Sequence, residues 1–202
     1  MVRRFAVVAL VLLATACRAP EPAAPATEAA PATEAAPAAE AAPAPPPVAH
    51  DPAVFRFEGF GPAEFGGDEE QVRMSWGRPL VAGVPANGAT CYFLTMDPLP
   101  ASGYGVRFMF EDGGFRRYDV DSPRHVAPGD LVVGDSADAV LAKFEGRVES
   151  QPHKYVDGGR TLVVTPESGG DARLVFETDP QGRVTAWRIG LLPQVLYVEG
   201  CG

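Results

Sequence analysis

The sequence predicts an α+β fold in which two tandem helix-plus-three-strand repeats form a mainly antiparallel sheet with helices on one face. The first observation is internal similarity: four residue pairs in the two halves share an offset of 68 positions. The second is that each half then continues with alternating apolar and polar residues, broken by a turn rich in Asp and Gly. The four pairs are Gly66 with Gly134, Asp68 with Ser136, Val72 with Val140, and Trp76 with Phe144.

Each repeat begins with a short helix. Asp68 and Ser136 are typical N-cap residues, and Gln71 lies three positions after Asp68 as in a capping box. Apolar residues follow four apart, and Gly77 and Gly146 are stop signals. The pattern predicts helices of two to three turns, each with one buried stripe.

The strands follow the helices. Residues 106–120 and 173–189 each predict a hairpin, and residues 90–96 and 160–165 predict one strand before each hairpin. Residues 53–60 predict an additional strand. Because every second hairpin residue is apolar, we expect one sheet face to be buried and the other to face water or a partner.

The first 16 residues predict an export signal, because a positive start, an apolar run and small residues follow one another. The apolar run is too short to span a membrane. Small residues before Cys17 resemble the bacterial lipoprotein box, in which that thiol is acylated and anchors the protein in the membrane. Arg18 stands where lipoproteins held in the inner membrane usually carry aspartate, so the resemblance implies the outer membrane. The alternative is an ordinary signal peptide with a chance cysteine.

Residues 17–50 predict the acylated cysteine followed by a disordered tether. Proline recurs every sixth residue in an alanine-rich repeat, which prevents a stable helix, and no large apolar side chain offsets the entropy of ordering. The remaining residues, 51–202, predict one globular domain made of repeats at about 53–125 and 126–202.

The composition and motifs exclude several classes of function. The formal net charge of −9 argues against nucleic acid as a partner. Nucleophile-elbow, zinc-protease and phosphate-loop motifs are absent from the sequence. Ser122 with His125 predicts a solvated loop, and Asp119 with Asp121 lacks further calcium ligands. We therefore expect a non-enzymatic protein with no cofactor and no metal site.

Cys91 and Cys201 are an even pair outside the lipoprotein box. In an oxidising compartment such a pair predicts a disulfide, and two free buried thiols are the alternative.

The most distinctive local segment contains His153, Tyr155 and Asp157 and is followed by two glycines. An aromatic face beside directional acceptors is what sugar recognition uses, so these three residues are candidate ligand contacts. The alternative is a plain hairpin turn, with Tyr155 packed against the sheet. Trp187 is expected in the core, or else as an exposed platform.

The outward sheet face is a second candidate. Arg107, Arg117 and Arg173 fall on outward positions, where arginines could recognise an acidic partner. The alternative is a row of cross-strand ion pairs with neighbouring acids that keeps the sheet soluble. The acids are Glu111, Asp119 and Glu177.

Three resemblances accompany these residues. A Gly-x-Ser-x-x-x-Val helix before a three-stranded meander resembles small outer-membrane assembly lipoproteins, and tandem copies resemble the secreted β-lactamase inhibitor proteins. The segments at 152–159 and 197–201 resemble proteobacterial envelope lipoproteins of unknown function, some of them named lectin, over roughly 55–202.

The lectin-named family implies a lipid-anchored outer-membrane protein whose domain faces the periplasm and binds a glycan. The inhibitor resemblance implies instead a module that binds an envelope protein or inhibits an enzyme through the outward sheet face. The partners expected are therefore the membrane, through the lipid anchor, and a glycan or an envelope protein.

Overall fold

The computed structural model describes residues 54–86 and 88–201. The predicted signal segment, Cys17 and the tether lie outside these described residues. The strands are β1 (Phe55–Arg56), β2 (Gly59–Phe60), β3 (Ala63–Glu64), β4 (Leu80–Ala82), β5 (Tyr92–Met96), β6 (Val106–Glu111), β7 (Gly114–Val120), β8 (Val126–Ala127), β9 (Leu131–Val132), β10 (Val148–Pro152), β11 (Arg160–Val164), β12 (Ala172–Thr178) and β13 (Val184–Leu191). The helices are α1 (Glu69–Trp76), α2 (Ala137–Lys143) and a 3₁₀ turn at Gln194–Leu196.

One antiparallel sheet of eight strands dominates the described residues, in the order β10-β11-β12-β13-β7-β6-β5-β4. The fold is therefore mainly β, and the predicted α+β class built of helix-plus-three-strand repeats is wrong. Four strands per half, not three, enter the sheet, and β7 pairs directly with β13 to make it continuous. The helices span only 8 and 7 residues and cannot form a layer comparable to the sheet.

The helix starts are confirmed. Asp68 Oδ1 accepts a hydrogen bond from the Gln71 amide at 2.9 Å, and Ser136 Oγ accepts one from the Ala139 amide at 3.1 Å. Gly77 ends α1 in the left-handed conformation, with φ of 69°, where glycine is favoured. These side-chain caps satisfy amides that have no partner inside the helix.

The sequence predicts one strand over 53–60, which is wrong, because a two-residue turn divides it. Strands β1 and β2 pair across this turn and place Phe55 opposite Phe60. Both rings are buried in the core, and Phe55 meets the edge of Trp187 at a centroid distance of 5.2 Å. Trp187 is fully buried, which confirms its expected place in the core.

Candidate functional site

The C-terminal segment, defined here as residues 192–201, covers part of the second face of the sheet. Val195 in its 3₁₀ turn is buried against Val163 and Val175 on two neighbouring strands, with Leu192 beside them. The face that alternation assigns to solvent is therefore covered in part by the chain's own end.

Arg117 lies on the sheet beneath the C-terminal segment and forms hydrogen bonds with its backbone. It is 1% exposed, and its Nη1 donates to the carbonyls of Gln194 and Tyr197, both at 2.8 Å. Its Nε donates to Asp119 Oδ2 at 3.0 Å. Burial lowers the pKa of the Arg117 guanidinium, and Asp119 opposes that shift. The expectation that Arg117 lies on an exposed recognition surface is wrong, because its donors are used internally.

A second buried arginine, which was not among the predicted site residues, also bonds the backbone of the C-terminal segment. Arg188 on β13 donates from Nε to the Val195 carbonyl at 2.6 Å and from Nη1 to Glu177 at 2.5 Å. Alternation places Arg188 outward, and only the covering segment makes the position buried. The two arginines thus fix the 3₁₀ turn of the C-terminal segment.

The other two predicted partner-binding arginines also contact groups of the chain itself, and Arg107 shares Asp119 with Arg117. The guanidinium of Arg107 lies over the rings of Phe93 and Tyr104, at 4.3 and 4.1 Å from their centroids. Arg173 is half-buried and donates to two neighbouring backbone carbonyls. Arg107 also lies 3.7 Å from Asp119, so the ion-pair alternative describes this part of the face better.

The predicted disulfide is confirmed. Cys91, just before β5, is bonded to Cys201, with their Cα atoms 5.3 Å apart. Both cysteines are half-buried. The bond therefore joins the end of the C-terminal segment to the chain entering β5.

A cleft of about 530 Å³ lies beside this disulfide. Residues 88–91 and residues 197–201 form two parts of its lining, so the disulfide connects them. Glu111 at the end of β6 and Lys154 in the loop after β10 complete the lining. Carboxylates, an ammonium, a hydroxyl and an aromatic ring thus surround one cavity.

Glu199 ties the predicted ligand segment to the rim of this cleft. Its Oε1 accepts hydrogen bonds from Lys154 Nζ at 2.8 Å and from the Tyr155 hydroxyl. The bond with Lys154, and then that with Tyr155, lowers the pKa of Glu199. The bond with Glu199 is also the main cause that raises the pKa of Lys154. Lys154 and Glu199 are therefore a hydrogen-bonded ion pair at the rim.

Tyr155 is 58% exposed, so it does not pack against the sheet as the turn interpretation supposed. The turn itself is present, since Gly158 has a φ of 76° and the His153 amide donates to the Gly159 carbonyl at 3.0 Å. Glycine is favoured at such a φ. This turn presents Lys154 and Tyr155 towards the C-terminal segment.

His153 and Asp157 have other places than the sequence analysis expected. His153 Nδ1 accepts hydrogen bonds from the amides of Tyr155 and Val156, both at 3.1 Å, and its Nε2 lies 3.6 Å from Glu177. The imidazole therefore shapes the turn. Asp157 is exposed and does not line the cleft.

Four lining residues were missed as candidate contacts: Glu111, Lys154, Tyr197 and Glu199. The signal was available for two of them. A bond between Cys91 and Cys201 brings residues 197–199 beside the start of β5, whatever the register of the sheet. Glu111 gave no comparable signal, because a carboxylate at the end of a hairpin strand is common on any soluble sheet.

Ser122 and His125 lie in the turn between β7 and β8. Ser122 Oγ accepts a hydrogen bond from the Arg124 amide at 3.3 Å. The His125 ring packs on Phe55, with the centroids 5.4 Å apart. Burial, with Arg78 and Arg124 nearby, lowers the pKa of His125 below 6.5. The folded protein therefore favours the neutral imidazole.

This shift predicts a pH dependence. Below about pH 6.5 the His125 imidazole binds a proton in the unfolded chain but stays neutral in the folded chain until its lowered pKa is reached. The free energy of unfolding therefore falls as the pH drops towards that lowered pKa. The slope from this residue is at most about 1.4 kcal/mol per pH unit. The free energy of unfolding, measured by denaturant titration at several pH values across that range, should depend less on pH in His125→Gln than in the parent. Equal slopes would contradict the prediction.

Two features are absent from residues 54–86 and 88–201. None of their helices has the length and hydropathy needed to cross a membrane. Within the same residues, no three His, Cys, Asp or Glu side chains come together as a metal-binding group.

Comparison with known proteins assigns no family. No protein-family model matches the chain, and no curated protein matches it.

Solved structures show distant similarity. An extracellular protein containing an SCP domain from Bacillus anthracis is 13% identical, with 65% of this chain and 45% of that chain covered, at a TM-score of 0.45. The uncharacterized protein yfeY from Escherichia coli is 14% identical, with 62% and 89% covered, at 0.41. A cysteine-rich secretory protein from Staphylococcus aureus is 12% identical, with 67% and 47% covered, at 0.41. The chain thus spans less than half of the first structure, and these similarities assign it neither a fold family nor a function.

Proposed function

We propose that the domain binds a carbohydrate in the cleft beside the Cys91–Cys201 disulfide, and that it does so as part of a non-enzymatic cell-envelope lipoprotein. The observation that carries the proposal is the lining of that cleft, which includes Tyr197 together with Glu111, Lys154 and Glu199. Tyr155 stands next to this lining through its bond to Glu199.

The physical argument is one of complementary chemistry. A sugar ring offers an apolar face and several hydroxyls, so a site for it combines an aromatic ring with directional donors and acceptors. Tyr155 and Tyr197 are 58% and 36% exposed and supply the rings. Carboxylates and an ammonium supply acceptors and donors, and about 530 Å³ lies in the size range of ligand sites.

The location belongs to the same proposal. A disulfide persists in an oxidising compartment, which supports an exported protein. An acylated Cys17 would hold the domain at the outer membrane, facing the periplasm, through the tether at 18–50. The lipoprotein-box resemblance supports this anchor.

A protein partner is the second candidate, and one observation favours it. Leu196, Tyr197 and Val198 are exposed in a row beside the cleft. Contiguous exposed apolar side chains often mark interaction sites. The charged surface first expected for such a partner is reduced, since Arg117 is buried beneath this same segment.

Glycan-array and calorimetric binding to the full chain test the carbohydrate proposal. We expect Tyr197→Ala to weaken saccharide binding about tenfold, the effect of losing one stacking ring. Tyr197 bonds to Arg117 through its backbone carbonyl and not through its side chain, so the truncation leaves the segment anchored. Val84→Ala is the matched control, because Val84 is 96% exposed and does not line the cleft.

The proposal fails if the parent protein binds no saccharide on the array. It also fails if saccharide binding is found but Tyr155→Ala and Tyr197→Ala both leave it unchanged. Capture of an envelope protein that is lost in Leu196→Ala, with no saccharide bound, would favour the second candidate.

A further inference from the structure

We propose that the cleft selects saccharides that carry a cationic amine, such as amino sugars without an N-acetyl group. This inference rests on the proposed carbohydrate function and adds the chemical class of the ligand. It is carried by the unequal pairing of the charged groups around the cleft.

Within residues 54–86 and 88–201, Glu111 is the lining carboxylate that has no ion-pair partner. Its side chain lines the cleft and is half-buried. Oε2 accepts a hydrogen bond from the Gln194 amide group at 2.6 Å. No residue within 54–86 or 88–201 donates to Oε1, and none of their basic side chains forms an ion pair with this carboxylate. Among the described residues, Glu111 therefore offers an acceptor oxygen that has no ion-pair partner, inside a ligand-sized space.

The neighbouring cations have other partners. Lys154 forms an ion pair with Glu199, so these two charges offset each other. Arg117 beneath the segment is paired with Asp119. Arg116 donates to the backbone carbonyl of Glu111, not to its carboxylate, at 3.3 Å.

A second acid increases the imbalance. Asp112 follows Glu111 and accepts a hydrogen bond from the hydroxyl of Thr90, a lining residue, at 2.6 Å. Around the cleft there are thus three carboxylates, of Glu111, Asp112 and Glu199, and two cationic groups, the Lys154 ammonium and the Arg116 guanidinium. An ammonium on the ligand is attracted by this charge, and an anionic ligand is repelled.

The amine also suits the geometry of hydrogen bonding. A protonated amine donates up to three hydrogen bonds, and a charged donor on a charged acceptor bonds about twice as strongly as a neutral pair. N-acetylation removes the charge and replaces the amine with a bulkier amide. The same aromatic faces remain available to both sugars, so the preference reports on Glu111 and not on stacking.

The experiment compares two probes on the full-length protein: glucosamine oligomers and N-acetylglucosamine oligomers of equal length, at a pH that keeps the amine protonated. We expect the parent to bind the cationic oligomer about tenfold more tightly than the acetylated one. Added salt should reduce this preference, because part of it is electrostatic.

Glu111→Gln should abolish the preference. Glutamine keeps the shape of the side chain and an oxygen that can accept from Gln194, so the fold is preserved while the charge is lost. Glu70→Gln is the matched control, because Glu70 is an exposed acid on α1 that does not line the cleft. This control should keep the parent's preference.

The outcomes separate the inference from the function on which it rests. Equal affinity of the parent for the two oligomers, or a preference that survives in Glu111→Gln, overturns the cationic selectivity and leaves carbohydrate binding standing. Failure to bind either oligomer or any other saccharide overturns both.

Discussion

Arg117→Ala is expected to lower the free energy of unfolding by about 3–5 kcal/mol, the usual cost of removing one partner from a buried ion pair. The change leaves buried Asp119 with the more distant Arg107, at 3.7 Å, as its ion-pair partner among the described residues. It also removes the donor that both Gln194 and Tyr197 carbonyls use. Unsatisfied buried groups carry their full desolvation cost. Denaturant unfolding of the parent and the variant measures the difference.

Two controls separate burial from charge. Lys143→Ala breaks the exposed pair with Asp130, whose side chains are 47% and 82% exposed, and should cost less than about 1 kcal/mol. The double variant Arg117→Met with Asp119→Asn removes both buried charges and should recover part of the loss. If Arg117→Ala destabilises no more than Lys143→Ala, Arg117 does not anchor the segment.

Local structure was predictable wherever the signal lay within a few residues. The helix starts at Asp68 and Ser136 follow from caps whose partners are three residues away. The hairpins follow from alternation and from turns that need Gly, and strands β6 with β7 and β12 with β13 are found there. The Cys91–Cys201 bond followed from the parity of the cysteines.

The fold class could not be obtained in the same way. Strands β4 and β10 are edge strands that pair on one side, and most of their residues are exposed, so they lack the apolar alternation that identifies β6 or β12. The pairing of β7 with β13 links residues far apart in sequence and leaves no local mark. Without these three features the sequence predicts two helix-plus-three-strand repeats in one sheet, and the size of the sheet is missed.

The segment singled out in the sequence lies next to the candidate cleft, but most of the residues that line the cleft were not singled out. Residues 153–157 do lie next to the cleft, yet it is Lys154 that lines it, while His153 is turned inward to bond the turn amides. Alternation cannot decide which way a turn residue points. The covered arginines show the same difficulty, because alternation describes two faces of a sheet and not what the chain's own end later places on one of them.

Replacing both Cys91 and Cys201 with serine is expected to destabilise the domain by about 4–5 kcal/mol, since the bond closes a loop of 110 residues. Unfolding of the double variant and of the parent, both under oxidising conditions, measures this. A reductant added to the parent should reproduce the variant, and Cys17→Ser should leave the midpoint unchanged.

The disulfide prediction also has a local part that distinguishes the roles of the two anchors. In the double variant Arg117 and Arg188 still bond the carbonyls of the 3₁₀ turn, which keeps the turn in place. Hydrogen exchange of the Leu196 and Tyr197 amides, which donate to carbonyls within the turn, should therefore remain slow. Residues 200–201 lose their covalent link to Cys91, and exchange should become faster beyond the Glu199 ion pair. Because the disulfide joins two parts of the cleft lining, saccharide binding should weaken more than stability alone explains. A variant that unfolds at a lower midpoint but binds as the parent does would show that the bond stabilises the domain without shaping the cleft.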